Sequence, residues 1–64
     1  MTTVTKYIVV GELRGATYYW AGRNWERDPR LAKLYAKRAN AQNQASSMLS
    51  PRAVVKEVAV LFPD

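Results

Sequence analysis

This chain is rich in β-branched residues at both ends and poor in them between. One run, Val4 to Leu13, centres on Tyr7-Ile8-Val9-Val10, and the other, Arg52 to Phe62, holds Val54, Val55, Val58 and Val60. Such residues suit a pleated surface. Residues 31–49 carry instead the Ala, Leu, Lys, Arg and Gln that favour helix. A chain built this way has to bring its two ends together in a sheet and lay its middle across it, which is an α+β design. Sixty-four residues allow one compact domain, residues 1–64, with a thin stability margin.

The strands can be read by alternation. Val4, Ile8 and Val10 share a face with Lys6 and Glu12, while Tyr7, Val9 and Leu13 share the other. Apolar groups on both faces point to a central strand. Arg14-Gly15 then interrupts, and Ala16-Thr17-Tyr18-Tyr19-Trp20-Ala21 follows as the second strand of a hairpin. Gly22-Arg23-Asn24 ends it by turn chemistry. Asp28-Pro29 reads as a helix start, with Asp as cap and Pro at the first helical position. Leu31, Leu34, Tyr35, Ala41, Gln42, Ala45, Met48 and Leu49 follow helical spacing, and Arg38 interrupts the stripe. The interruption predicts a break near Ala36 to Arg38. Ser50-Pro51 is the stop. Val54, Val58 and Val60 share a face of the third strand. The expected fold is therefore ββαβ: a three-stranded antiparallel sheet of order 2-1-3, with Leu31–Leu49 as a broken helical region over one face.

Aromatic residues crowd the hairpin. Trp20, Trp25 and Tyr35 are expected in the core. Tyr19, with Tyr7 on the neighbouring strand, is the candidate for an exposed contact.

Trp25-x-x-Asp28-x-x-x-Ala32-Lys33-x-Tyr35, after a Tyr-Tyr-Trp strand that ends in Gly, resembles a segment of small phage and prophage proteins of ββαβ layout. The resemblance implies a mobile-element origin and an accessory role, such as binding and blocking host machinery. Anti-CRISPR-type inhibitors of host defence are one such class.

Charge suggests where a partner would dock. Lys and Arg total 10 against 5 acids, and the stretch Gly22 to Asn40 holds Arg23, Arg27, Arg30, Lys33, Lys37 and Arg38 against Glu26 and Asp28. That stretch carries +4 of the net +5. On a helix Arg30, Lys33 and Lys37 would stack on one face. Arg23, Arg27, Arg30, Lys33 and Lys37, with Tyr7 and Tyr19, are the candidate partner-binding residues. Such a surface suits an acidic protein patch or a phosphate backbone. The neutral second half of the helix, from Asn40 to Ser47, reads either as a flat surface for close approach of another chain or as a weakly selected surface.

Catalysis is not expected. The chain has neither Cys nor His, so thiol and imidazole chemistry is excluded, as are zinc sites built on those ligands. Glu12, Glu26, Asp28, Glu57 and Asp64 are too scattered for an acid–base pair or a metal site, and Gly11, Gly15 and Gly22 are isolated. No cofactor and no membrane segment are expected. The N-terminus lacks a signal-peptide layout, so the cytoplasm, of a bacterial host if the chain is phage-encoded, is the expected compartment. The partner is then a host protein or nucleoprotein complex, with nucleic acid as the alternative.

Overall fold

The computed structural model describes residues 1–48 and 52–63. Strands β1 (Thr2–Leu13), β2 (Ala16–Trp20), β3 (Trp25–Glu26) and β4 (Ala53–Phe62) form one sheet, and helix α1 (Arg38–Ser46) lies between β3 and β4 in the chain. The strand order is β3-β2-β1-β4, with every pairing antiparallel. The expected 2-1-3 arrangement is present, with Trp25–Glu26 added as a fourth strand beyond β2. Trp25 lies opposite Trp20, and their rings meet edge to face at 5.5 Å. Two residues are too few to show alternation, so only the pairing reveals this strand.

The two ends of the chain pair along almost their whole length, from Thr2 opposite Phe62 to Gly11 opposite Ala53. The hairpin β1–β2 is shorter and starts at Leu13 opposite Ala16. Arg14 and Gly15 both take positive φ, 54° and 79°, as a two-residue type I′ turn requires.

Helix α1 sits over β1 and β4. Ala41 and Ala45, one turn apart, are buried against the fully buried Val9, and Tyr7, Trp20, Trp25, Tyr35, Met48, Ala53 and Val55 pack around them. Alanines at the contact let the helix axis come close to the sheet, so a helix with little apolar surface of its own still closes a core. Trp20, Trp25 and Tyr35 belong to this core as expected, each half-buried.

The middle of the chain departs from expectation. Asp28 does cap, accepting from the Arg30 backbone N–H at 2.9 Å, but the turn that follows is a 3₁₀ turn of three residues, Pro29–Leu31. Residues 32–34 are irregular, and helix begins only at Arg38, at the expected break. Leu31 and Leu34, expected in the core, are 53% and 48% exposed. The stripe's Gln42 is exposed as well. The cause is a backbone bridge. β2 pairs only as far along β1 as Val10, leaving the next part of that edge open. Tyr35 occupies it: the Tyr7 N–H donates to the Tyr35 carbonyl at 2.9 Å and the Tyr35 N–H to the Tyr7 carbonyl at 2.8 Å. The Lys33 N–H also donates to the Trp20 carbonyl at 2.8 Å. Satisfying strand-edge groups outweighs a helix propensity worth tenths of a kcal/mol per residue. Leu49 and the Ser50-Pro51 stop lie outside the described residues.

Candidate binding surfaces

The sheet has two unlike sides. Odd-numbered residues of β1 and β4 face α1. Even-numbered ones face away, and among the described residues nothing covers them.

On the helix side, cations lie over tyrosine rings. Arg27 sits 5.4 Å from the Tyr18 ring centroid, Lys33 5.1 Å from that of Tyr35, and Arg38 5.1 Å from that of Tyr7. Such contacts are worth roughly 0.5–1 kcal/mol each where exposed. Arg38 also pairs with Glu57 at 3.1 Å. Arg30 is held by both carboxylate oxygens of Asp28, at 2.9 to 3.2 Å, and this keeps the Asp28 carboxyl below its ordinary pKa. Arg23, Arg27, Lys33 and Lys37 have no carboxylate partner among the described residues.

The charged helical face expected from Arg30, Lys33 and Lys37 therefore does not form, because Arg30 lies in the 3₁₀ turn, Lys33 in irregular chain and Lys37 at the start of α1. Arg23, Arg27, Lys33 and Lys37 are exposed nonetheless. The expected pairing of Tyr7 with Tyr19 also fails. Tyr7 shares the helix side with Val9, while Tyr19 lies opposite Val10 on the uncovered side. Both are half-buried. Among the described residues, the Tyr35 hydroxyl is the buried side-chain polar group without a well-formed hydrogen bond. Burial pushes that phenol above its ordinary pKa, and the Trp20 side chain offsets part of the shift.

The uncovered side is mainly apolar. Val4, Ile8 and Val10 of β1 stand beside Val60, Lys56 and Val54 of β4 respectively, and Val58, Phe62 and Tyr19 extend the same face. Ile8 and Val10 are buried here, whereas Val54 is 54% and Phe62 45% exposed. A depression of about 330 Å³ opens on this face, lined by Val10, Glu12, Arg52, Val54 and Lys56. Its floor is apolar and its rim carries both signs of charge. Sequence reasoning grouped Val4, Ile8 and Val10, and separately Val54, Val58 and Val60, without joining the two sets. The register that joins them depends on a crossover of some forty residues.

No family model, curated protein or solved structure matches the chain. No helix among the described residues is long and apolar enough to cross a membrane. Among the described residues, no three carboxylates gather as metal ligands would.

Proposed function

We propose that this chain is a non-catalytic accessory protein, of the phage type its Trp25–Tyr35 segment resembles, that binds a larger host protein and blocks or redirects it. The observation that carries the reading is the uncovered sheet face. An apolar floor of Val10 and Val54 inside a rim of Glu12, Arg52 and Lys56 has the layout of a protein interface, with a dry centre and a charged border. A face rimmed by both signs of charge suits a protein better than a phosphate backbone.

Nucleic-acid binding is the second reading, supported by the exposed Arg23, Arg27, Lys33 and Lys37 on the other flank. Against it, three tyrosines that could stack on bases already carry a cation over the ring, and Tyr19 lies on the side away from those cations.

One experiment separates the two. The tagged chain is used to capture partners from bacterial lysate with and without nuclease, beside Val54→Lys and the double variant Lys33→Glu, Lys37→Glu. Under the protein reading, capture survives nuclease, is lost in Val54→Lys and persists in the double variant. Capture abolished by nuclease or by the double variant, yet kept in Val54→Lys, would sink the reading in favour of nucleic acid. Added salt should then weaken binding steeply, through counterion release.

A further inference from the structure

We propose that β4 is a self-pairing edge, and that two copies of this chain join along it into one continuous sheet. The outer edge of β4 is bare: among the described residues, no backbone group from Ala53 to Phe62 bonds to anything beyond β1. Edge strands are usually blunted by shortness, proline, a bulge or a row of charges. This one runs for ten residues in unbroken register, contains no proline, and carries charge only at Lys56 and Glu57.

Which backbone groups point outward follows from the Tyr7–Tyr35 bridge. Tyr7 spends its N–H and carbonyl on Tyr35, away from β4. Its partner Glu57 is thus in a non-hydrogen-bonded pair with β1 and turns its own groups outward. By alternation Ala53, Val55, Glu57, Ala59 and Leu61 present the free donors and acceptors, while Val54, Lys56, Val58, Val60 and Phe62 are spent on β1.

The two charges exclude two registers. A two-fold axis through Lys56 would set Lys56 against itself, and one through Glu57 would set Glu57 against itself; like charges directly opposite are destabilising. An axis through Val58 does neither and pairs Val54 to Phe62 with Phe62 to Val54. Val55 then meets Leu61, and Glu57 meets Ala59, of the second copy, and the outward groups of these four residues satisfy one another, while Ala53 falls opposite Pro63, beyond the paired stretch. The two Glu57 side chains become diagonal neighbours across the axis. Each already holds Arg38 at 3.1 Å, so two ion pairs meet there with their charges complementary.

The same register repairs an imbalance on the helix side. Helix α1 covers the half of β4 from Ala53 to Glu57, through Ala53 and Val55 in the core and Arg38 on Glu57. The other half extends beyond it, leaving Leu61 54% exposed. Antiparallel pairing about Val58 lays Val55 of the second copy, with that copy's α1 above it, beside Leu61. Each copy's helix flanks the other's bare half, and the uncharged polar surface of α1 approaches the second chain without repulsion. The second copy is therefore the occupant that fits this edge.

Sedimentation equilibrium across a concentration series tests the proposal. The unmodified chain should reach the dimer mass. Ala59→Pro removes an outward N–H while sparing the β1 pairing, and so should be monomeric with an unchanged far-UV spectrum. If that variant loses its fold, Leu61→Lys, which adds charge on an exposed side chain, decides instead and should also be monomeric. Because the chain has no cysteine, single substitutions read the register directly. Val58→Cys lies on the axis in a non-hydrogen-bonded pair, with Cα atoms about 4.5 Å apart, and should cross-link on mild oxidation. Lys56→Cys should not. A monomer at every concentration, a dimer indifferent to both edge variants, or cross-linking of Lys56→Cys as fast as Val58→Cys would each overturn the proposal.

Discussion

Val9→Ala tests whether α1 closes the core. Val9 is 0% exposed and lies beneath Ala41 and Ala45. The substitution deletes two methyl groups, worth about 1.6 kcal/mol at roughly 0.8 kcal/mol per buried carbon. Alanines have no side chain to swing into the gap, so the void survives unless the helix itself sinks. A residual cavity of about 40 Å³ at roughly 24 cal/mol per Å³ adds about 1 kcal/mol. The expected loss is thus about 2–3 kcal/mol, against a total stability of roughly 3–10 kcal/mol for a chain this size. At about 4–8 °C per kcal/mol the melting temperature should drop by roughly 10–20 °C. Urea unfolding followed by Trp20 and Trp25 fluorescence measures it, with the slope unchanged if only stability has moved. Val54→Ala makes the same deletion on a side chain that is 54% exposed, and should cost less than about 1 kcal/mol. Equal losses from the two variants would mean that Val9 is no better covered than Val54 and that the helix does not seat.

Trp25→Ala should cost about 2–3 kcal/mol, below the 3–5 usual for a fully buried aromatic, because Trp25 is half-buried, packed at the margin of the Val9 cluster and edge to face with Trp20; a urea midpoint indistinguishable from wild type would refute that packing. Lys37→Asp should stabilise by about 1 kcal/mol, since Lys37 starts α1 with no side-chain cap and no acid lies in the first turn; an unmoved midpoint would show that the Tyr35 bridge alone sets the helix start. Tyr35→Phe should leave stability at neutral pH unchanged or raised, because it deletes a buried hydroxyl without a good partner. The raised phenol pKa makes the folded state hold its proton longer, so the wild type should lose stability as pH climbs past the ordinary tyrosine value of about 10, and Tyr35→Phe should lose less over the same range. Parallel melts on either side of that pH decide it.

The strands were legible because side-chain alternation is a local signal. Val9 against Val10, or Val54 against Val55, assigns faces without knowledge of the partner strand. The Arg14-Gly15 turn was legible as an interruption between two such runs. The loss of helix before Arg38 was not, because Ala32 to Lys37 is built of helix formers and its fate is settled by Tyr7, some thirty residues earlier. Once that segment is held against the β1 edge, the charged face read from Arg30, Lys33 and Lys37 dissolves with the helix that would have carried it. Tyr7 was placed with Tyr19 on aromatic character, although its own alternation with Val9 already set it on the helix side. The uncovered face needed one fact that no local pattern contains, the register between the two ends.

That register has a consequence for how the chain is made. Its pairs join residues from 42 apart, at Gly11 and Ala53, to 60 apart, at Thr2 and Phe62. Contacts of such high sequence separation slow folding, because the loop entropy must be lost before any pairing rewards it. During synthesis β1 and the hairpin emerge first, but Val9 cannot be enclosed until Ala53–Phe62 has followed. Over that interval Ile8, Val9 and Val10 stand on a strand with one side unpaired. A nascent chain in this state has a choice of partners, and crowding among neighbouring nascent copies favours the wrong one. Closure of this core thus waits on β4, which is made some forty residues after β1.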